Sequence, residues 1–422
     1  MGYWFTHPMV KVLMPMGNAT AIRGLSTTFS MPRLIMGANV FPEGKAKGAA
    51  AANQLAGLCR RKQAFLVTDD FGQKIAKRVA ASLETTGFAT RIWHGAQPEA
   101  PLDSVRACAA AMTAFEPDLI VAVGGGSVID GAKASWVQYV RPDIPDLGQI
   151  TLFTPLGLRR KAFFAAVPTT SGTGSECTAV TVIHDTEAHR KIPVANAEIM
   201  PDVAVLCPEF TLSMPPGLTA GTGLDALSHA MDAVATPAAN EITDALALQA
   251  IRMIFRYLPR AYRNGQDREA RHRMLVAASL AGVAFGQSGA ALTHSFGHSV
   301  GSLFNVHHGL AVGVFIPYAY QYYRAVSDKY LAVCETLGIL DGDAETRFAR
   351  LMEKVKALFA ELDLPLTLEA LGIAAADLEA RMDTLVQYTC EDIDTLFSPR
   401  PMTEAECERI FRYAHAGRDI DF

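Results

Sequence analysis

The first half of the chain alternates short apolar runs with stretches of helical periodicity. Helical patterns cover about residues 72–86 and 102–115, and each lies between apolar runs of strand length. The runs that predict strands are residues 64–68, 90–93, 119–123, 163–167 and 203–206. Strands separated by helices of this length are typical of βαβ units, so we expect an α/β domain with a largely parallel sheet.

The second half has a different pattern. From about residue 218 the turn-forming residues become rare, and apolar positions between 242 and 262 recur at helical spacing. We place a domain boundary at Pro215-Pro216-Gly217. The expected organisation is an N-terminal extension over residues 1–30, an α/β domain over 31–217 and an all-α domain over 218–422.

Residues 274–323 contain no Asp, Glu, Lys or Arg, but they include four histidines and seven glycines. No window of about 18 residues is continuously apolar, which argues against a membrane span. We expect this segment to form buried helices that line a site.

Composition narrows the class of protein. The 422 residues carry a net charge of −5 with 19% charged residues, which offers no broad basic surface for nucleic acid. The seven cysteines are scattered and never spaced as C-x-x-C, so we expect no disulfide framework and a reducing, cytoplasmic location. We expect no secretory signal peptide either, because the N-terminus lacks a basic cluster followed by an unbroken apolar run.

Two glycine-rich turns follow predicted strands. The first is Gly124-Gly125-Gly126-Ser127, with Asp130 in the helix that follows, and the second runs from Pro168 to Glu176 and is rich in hydroxyls. Glycines and a helix N-terminus can bind a phosphate. A tight strand-to-helix turn with no ligand would have the same glycine-rich sequence. Two such turns at consecutive strand ends indicate a shared ligand crevice.

Asp69 directly follows the strand predicted over residues 64–68. An acid at that edge accepts hydrogen bonds from a ribose diol and repels a 2′-phosphate, which favours NAD over NADP. Asp70 is the alternative ribose-binding acid. The other interpretation is that the residue is an exposed acid in a turn with no part in cofactor binding. The acid precedes the glycines here, so this is not the usual dinucleotide fingerprint.

The histidines give the strongest chemical signal. Asp225 and His229 are four residues apart and so share one helix face, and His294 and His298 repeat that spacing. His307 and His308 follow closely. A single histidine is usually a core residue, but imidazoles clustered with one carboxylate suit a divalent transition metal.

Four motifs together resemble those of the iron-containing (group III) alcohol dehydrogenase family. They are GGGSVID at 124–130, PTTSGTGSE at 168–176, GLDALSHAMDA at 223–233 and LTHSFGHSVG…HHG at 292–309. The resemblance implies a dinucleotide-binding α/β domain followed by a helical domain, with metal and nicotinamide meeting in a cleft.

The resemblance also implies roles for individual residues. The metal ligands fall on Asp225, His229, His294 and His308, His298 helps to move protons, and Phe285 shapes the substrate pocket. No role follows for His307. The implied cofactor residues are Asp69, Gly125, Gly126, Ser127, Asp130, Thr169, Thr170, Thr178 and Lys191.

One position departs from the family pattern. The family commonly reads C-T-x-x-N-P-R near the C-terminus, whereas this chain has Asp394 at the start of DTLFSPR. If Asp394 reaches the substrate, it disfavours anions and favours hydroxylated or cationic compounds. A solvated loop acid is the alternative.

The resemblance therefore implies an NAD-linked, Fe²⁺-dependent dehydrogenase of small primary alcohols, diols or the matching aldehydes, with Zn²⁺ as the other candidate metal. The metal acts as a Lewis acid on the substrate oxygen while hydride moves to or from the nicotinamide. The rivals are a zinc polyol dehydrogenase of the glycerol type, a dehydroquinate-synthase-like lyase and a catalytically inactive NAD sensor. We expect no nucleic-acid or membrane partner, and a homodimer or larger homo-oligomer.

Overall fold

The computed structural model describes residues 29–43, 50–186 and 190–422. Nearly all of the expected N-terminal extension lies outside the described residues. The described chain divides into two compact units, Met31–Met214 and a unit that contains Pro215–Phe422.

The first unit is built on a six-stranded sheet in which every paired strand is parallel, with the order β1-β8-β5-β4-β2-β3. Its strands are β1 Arg33–Met36, β2 Gln63–Val67, β3 Ala89–Trp93, β4 Leu119–Gly124, β5 Phe163–Pro168 and β8 Val203–Leu206. Its helices are α1 Ala50–Ala56, α2 Gln73–Glu84, α3 Leu102–Phe115 and α4 Gly126–Val140. The predicted α/β class and parallel sheet are confirmed.

The central strands are buried on both faces. Phe65 and Ile120 pack into the core on one side of the sheet, and Leu66 and Val121 pack into the core on the other. This explains why these strands appear in the sequence as continuous apolar runs. Because β4 pairs with β5, with Gly124 opposite Pro168, the two glycine-rich turns leave the same edge side by side.

The sequence analysis did not predict β1 or the antiparallel hairpin of β6 Val180–Asp185 and β7 Arg190–Ala195. The hairpin carries charged residues and Pro193, and the described part of β6 is only partly buried, so its apolar signal is weak. β1 is a four-residue edge strand.

The second unit is helical throughout its secondary structure. Its first helices are α5 Pro216–Ala235, α6 Glu241–Arg263, α7 Arg268–Ser288, α8 Leu292–Phe304, α9 His308–Gly313 and α10 Ile316–Tyr323. They are followed by α11 Tyr330–Thr336, α12 Ala344–Glu361, α13 Ala375–Ala380, α14 Met382–Glu391 and α15 Glu404–Ala416. The predicted all-α second half is confirmed.

The helices α5 and α7 to α10 form the centre of this unit. The uncharged segment 274–323 spans most of α7 to α10, and most of its apolar side chains are buried in one core. Glycines allow the closest approaches, since a Cβ on Gly297 would lie 2.4 Å from Val312 Cγ1. No single described helix is long and apolar enough to cross a bilayer; α7 and α8 together pass that test of length and composition, and they are bent by 105° at their junction.

Candidate functional site

Three helices bring the predicted metal ligands together. Asp225 and His229 lie one turn apart on α5, His294 lies near the start of α8, and His308 begins α9. Asp225 Oδ1 lies 3.2 Å from His308 Nε2 and 3.9 Å from His294 Nε2. One donor atom from each of Asp225, His294 and His308 lies within 4.8 Å of the other two.

His229 stands beside this group of three. Its Nδ1 lies 3.8 Å from Asp225 Oδ1, but it is not part of the compact set of donors. Its ring is stacked on those of Phe285, at 4.0 Å between centroids, and His294, at 4.3 Å. Phe285, the predicted pocket aromatic, therefore lies directly against a predicted ligand.

The donor atoms are suited to a cation. Asp225 and His294 are each 2% exposed, and Asp225 Oδ1, His229 Nδ1 and His294 Nε2 are buried without a hydrogen bond. Buried polar atoms are normally hydrogen-bonded, so several unsatisfied ones in one cluster need an explanation. A divalent ion bound by one carboxylate and several imidazoles would supply that explanation.

The cluster is also strongly coupled electrostatically. Burial opposes ionisation of Asp225, but attraction to His229 and His308 outweighs it and holds the pKa of that carboxyl well below its usual range. Burial lowers the pKa of His229 well below its usual value, which favours the neutral, ligand form of the ring. Burial also disfavours the charged form of His294, but the neighbouring carboxylates of Asp225, at 3.9 Å, and Asp232, at 3.0 Å, raise its pKa to about 10.

Asp232, one helical turn beyond His229 on α5, orients His294. Its Oδ2 lies 3.0 Å from His294 Nδ1 and also accepts from the Ala291 N–H at 2.8 Å and from the Thr293 hydroxyl. A carboxylate on Nδ1 fixes the tautomer in which Nε2 is free to bind a metal. Asp232 thus supports a predicted ligand from behind.

His298 lies next to the cluster with an acidic pair on its other side. Its ring stacks on His308 at 5.3 Å, and its Nδ1 lies 2.8 Å from Asp392 Oδ2. Asp394 Oδ2 lies 3.9 Å from the same nitrogen. The predicted substrate-pocket acid is therefore brought close to the predicted proton-transfer residue.

The two carboxylates of this pair are used differently. Asp392 binds His298 through Oδ2 and caps the following turn by accepting the Asp394 N–H through Oδ1. Burial opposes the charge of Asp392, but His298 lowers its pKa. Burial, followed by repulsion from Asp392, raises the pKa of Asp394 to about 7.

In the α/β unit, the glycine loop and the hydroxyl-rich turn touch. A Cβ on Gly125 would lie 3.3 Å from the Thr170 side chain, and one on Gly126 would lie 2.6 Å from Thr173 Cγ2. The Thr169 N–H donates to Gly124 O at 3.0 Å, and Ser127 Oγ accepts the Glu99 N–H at 3.1 Å. The structure thus places Gly125, Gly126, Ser127, Thr169 and Thr170 at one sheet edge.

Asp69 follows β2, which is the neighbour of β4 in the sheet. Its Oδ1 accepts the Gly72 N–H at 2.7 Å. Asp70, the alternative acid, is exposed and lies 3.3 Å from His94 Nδ1. Of the two, Asp69 is the acid held by the turn beside the glycine loop.

Three other predicted cofactor residues are already engaged within the protein. The Asp130 carboxylate accepts from the Ser175 hydroxyl and from the Val182 N–H. Thr178 is 3% exposed, and its Oγ1 lies 3.2 Å from Lys133 Nζ. Lys191 Nζ lies 3.3 Å from Glu99 Oε1.

Sequence reasoning missed three residues that the geometry singles out: Asp232, Asp392 and Lys133. Asp232 is seven residues after Asp225, so helical spacing puts both on one face of α5. Lys133 follows Asp130 by three residues in a helix that has no other charged residue. No sequence spacing links Asp392 to His298, since they are 94 residues apart.

Comparisons with known proteins match both halves of the chain. The family model "Iron-containing alcohol dehydrogenase" matches residues 42–208, and the model "Fe-containing alcohol dehydrogenase family, C-terminal" matches residues 219–415. Together the two matches cover both units.

Individual relatives are similar over most of their length. The chain is 35% identical to an NADPH-dependent butanol dehydrogenase of Clostridium saccharobutylicum over 89% of this chain and 97% of the relative. It is 32% identical to an NAD-dependent methanol dehydrogenase of Bacillus methanolicus over 84% of this chain and 92% of the relative. A crystal structure of a 1,3-propanediol oxidoreductase superposes with a TM-score of 0.83 and 30% identity, covering 92% of this chain and all of that chain.

Proposed function

Since the chain belongs to the iron-containing alcohol dehydrogenase family, we propose that it is a metal-dependent, NAD(H)-linked alcohol dehydrogenase or aldehyde reductase. The substrates we propose are small primary alcohols, diols or the matching aldehydes. The observation that carries the proposal is the cluster of buried Asp225 and His294 with half-buried His308, whose donor atoms lie within 4.8 Å of one another.

Fe²⁺ is the proposed metal, and Zn²⁺ is the other metal that this donor set would accept. Asp225, His294 and His308 would hold it, His229 is the proposed fourth ligand, and Asp232 would fix the tautomer of His294. When bound, the metal supplies Lewis-acid polarisation of the substrate oxygen and the nicotinamide accepts or supplies the hydride.

NAD is the proposed cofactor. Gly125, Gly126 and Ser127 form the phosphate-binding loop at the N-terminus of α4, and Thr169 and Thr170 border it. Asp69 accepts the hydroxyls of the adenosine ribose. Lys191 is proposed to lie along the nicotinamide half, while Asp130 and Thr178 act through hydrogen bonds within the protein.

His298 is the proposed proton-transfer residue. Asp392 holds its Nδ1 at 2.8 Å, so the other ring nitrogen is the one that exchanges a proton with substrate or water. Phe285 supplies the apolar side of the substrate pocket through its stacking on His229.

Asp394 is the proposed selectivity residue. The structure gives its carboxylate no hydrogen bond from a described side chain, in contrast to Asp392. An available acceptor near His298 favours substrates with a second hydroxyl or an amine over anionic ones. Replacing Asp394 with Cys should lower kcat/KM for diols relative to simple alcohols, and an unchanged substrate ranking would contradict this role.

Metal removal tests the central proposal. Chelation should abolish NAD-dependent alcohol oxidation, and Fe²⁺ or Zn²⁺ added separately should show which metal restores it. NADH binding should remain, because the glycine loop belongs to a unit that contains none of the proposed ligands. Full activity of the metal-free protein would refute the assignment.

We also propose a cytoplasmic location and assembly into a homodimer or larger homo-oligomer. All seven cysteines are free and buried, as expected of a protein kept in a reducing compartment. Sedimentation of the purified protein would measure the assembly directly.

A further inference from the structure

Lys133 is a fully buried lysine in the middle of α4, the helix that begins at the glycine loop. Its exposed fraction is 0%. Lysine is almost never buried to this extent unless its ammonium group is fully paired. The proposed mechanism gives this residue no task.

The Lys133 ammonium is surrounded by oxygens of one short segment. Nζ lies 2.7 Å from Ser175 O, 2.9 Å from Thr178 O and 2.8 Å from Val180 O. Three carbonyl oxygens match the three N–H donors of an ammonium group. The hydroxyls of Ser175 and Thr178 lie slightly farther away, at 3.3 and 3.2 Å.

Asp130, one turn earlier on the same helix face, binds the same segment. Its carboxylate accepts from the Ser175 hydroxyl and from the Val182 N–H at 2.9 Å, and its backbone oxygen accepts from the Thr181 hydroxyl at 2.7 Å. Asp130 and Lys133 together form what we call the Asp130–Lys133 clamp, which holds residues 175–182 on α4.

The clamped segment connects two parts of the proposed cofactor site. It continues the turn that carries Thr169 and Thr170, and it leads into the hairpin that carries Lys191. The glycine loop is fixed to α4 as its first turn. The clamp fixes the hydroxyl-rich turn to α4, and the glycine loop begins that same helix. The distance between the loop and the turn therefore depends on the clamp.

We propose that Lys133 is a positioning residue of the cofactor site, which sets the distance between the glycine loop and the hydroxyl-rich turn without touching the dinucleotide. The inference rests on the proposed NAD-linked function. Without the ammonium, the carbonyl oxygens of Ser175, Thr178 and Val180 lose the donor that joins them to α4, and the turn moves away from Gly125 and Gly126. The cradle then opens and binds the pyrophosphate less tightly.

A purely stabilising role would look different. Any large change in the core of α4 lowers the melting temperature, so loss of stability alone does not distinguish the two roles. The distinguishing measurement is the dissociation constant for NADH and for ADP-ribose, taken by calorimetry at a temperature where each variant is folded. ADP-ribose isolates the pyrophosphate and adenosine ribose from the nicotinamide.

The test compares Lys133→Met with a matched control on the same helix. Trp136→Phe alters a fully buried side chain one turn further on, which stacks on Phe164 at 5.2 Å and takes no part in the hydrogen bonds of the clamp. We expect Lys133→Met to weaken binding of NADH and ADP-ribose at least tenfold, with the iron content per chain unchanged. Trp136→Phe should lower the melting temperature but leave both dissociation constants within twofold of the wild type.

Ser175→Ala gives a milder second variant if Lys133→Met does not fold. It removes the hydroxyl that Asp130 and Lys133 share but keeps the carbonyl groups, and we expect a loss of about threefold in affinity. Wild-type affinity for NADH and ADP-ribose in folded Lys133→Met would overturn the inference but leave the proposed function standing. If Lys133→Met does not fold, wild-type affinity in folded Ser175→Ala would have the same meaning. Failure of the wild-type chain to bind NADH would remove the proposed function together with it.

Discussion

At the scale of single residues, Asp232 shows that the candidate metal site depends on residues that orient the ligands without being ligands themselves. One oxygen, Oδ2, serves the ring of His294, the Ala291 N–H and the Thr293 hydroxyl. The carboxylate therefore fixes both the His294 ring and the backbone at the start of α8. Partners of this kind typically change metal affinity by a factor of about 10 to 100 when they are replaced.

Asp232→Asn should accordingly bind iron about 10 to 100 times more weakly, because the amide no longer favours the tautomer with a free Nε2. Competition with a chelator of known affinity would measure the loss. Asp244→Asn, on α6 and outside the cluster, is the control. Equal iron affinity in Asp232→Asn and the wild type would remove the orienting role.

Asp69 makes a prediction about cofactor choice. Asp69→Ser should raise kcat/KM for NADP relative to NAD by about tenfold or more, since the carboxylate no longer repels a 2′-phosphate. The exposed neighbour Asp70→Ser is the matched control and should leave the ratio unchanged. If the Asp70 variant shifts the preference instead, the two acids have been assigned the wrong way round.

Asp394 makes a prediction about pH. Its pKa in the folded, metal-free protein is raised to about 7, so the folded state holds this proton more tightly than the unfolded chain. The free energy of unfolding therefore falls as the pH rises from about 4 through 7, by at most about 1.4 kcal/mol per pH unit. A bound cation would lower this pKa, which is why the metal-free protein is the one to measure.

Asp394→Asn cannot ionise, so it should be more stable than the wild type at pH 8, with a difference that vanishes near pH 4. Denaturant unfolding of the metal-free proteins across this range would show it. The exposed Asp383→Asn on α14 serves as control. A difference that does not depend on pH would contradict the raised pKa.

At the scale of elements, the ligands are placed by close helix contacts at glycine. A Cβ on Gly309 would lie 2.0 Å from Gly221 O and 3.3 Å from Asp225 Cβ, so α9 can approach α5 this closely only with glycine at 309. Because His308 directly precedes Gly309, this contact sets the position of one proposed ligand relative to another.

Gly309→Ala should therefore weaken iron binding and also destabilise the protein by about 1–3 kcal/mol through overpacking. Gly301→Ala is the control, since its Cβ would meet nothing closer than 3.4 Å and alanine favours the helix. Chelator competition and thermal unfolding measure the two effects. Full iron affinity in a folded Gly309 variant would show that α9 adapts without moving His308.

The elements also show what sequence reasoning can and cannot reach. Strands such as β4 and helices such as α6 Glu241–Arg263 were predicted closely because burial imposes their apolar pattern directly. The hairpin of β6 and β7 was missed because charged and polar residues interrupt it. The pairing of His298 with Asp392 was also missed, because it depends on how α8 and the segment after α14 pack, and no local pattern encodes that.

At the scale of the whole molecule, proposed cofactor binding belongs to one unit and proposed metal binding to the other. The glycine loop and the Asp130–Lys133 clamp belong to Met31–Met214, and the metal cluster belongs to the helical unit. Each unit has its own buried core. Ligands of the two sites should therefore stabilise different parts of the chain.

Hydrogen exchange should resolve this division. Iron added to the metal-free protein should slow amide exchange in α5, α8 and α9, whereas NADH should slow it around residues 124–134 and 168–182. The reason is that a ligand raises the free energy of opening in the structure that it binds. Protection by iron alone spread evenly over both units would contradict separate sites.

The unsatisfied buried donor atoms on α5 and α8 have a consequence for the living cell. A newly made chain must bury a carboxylate and several imidazoles whether or not a metal ion is bound. The metal-free protein should therefore unfold more easily than the metal-bound protein. We expect nutrient iron to govern how long the protein survives proteases, so that a starved culture would hold fewer copies as well as less active ones.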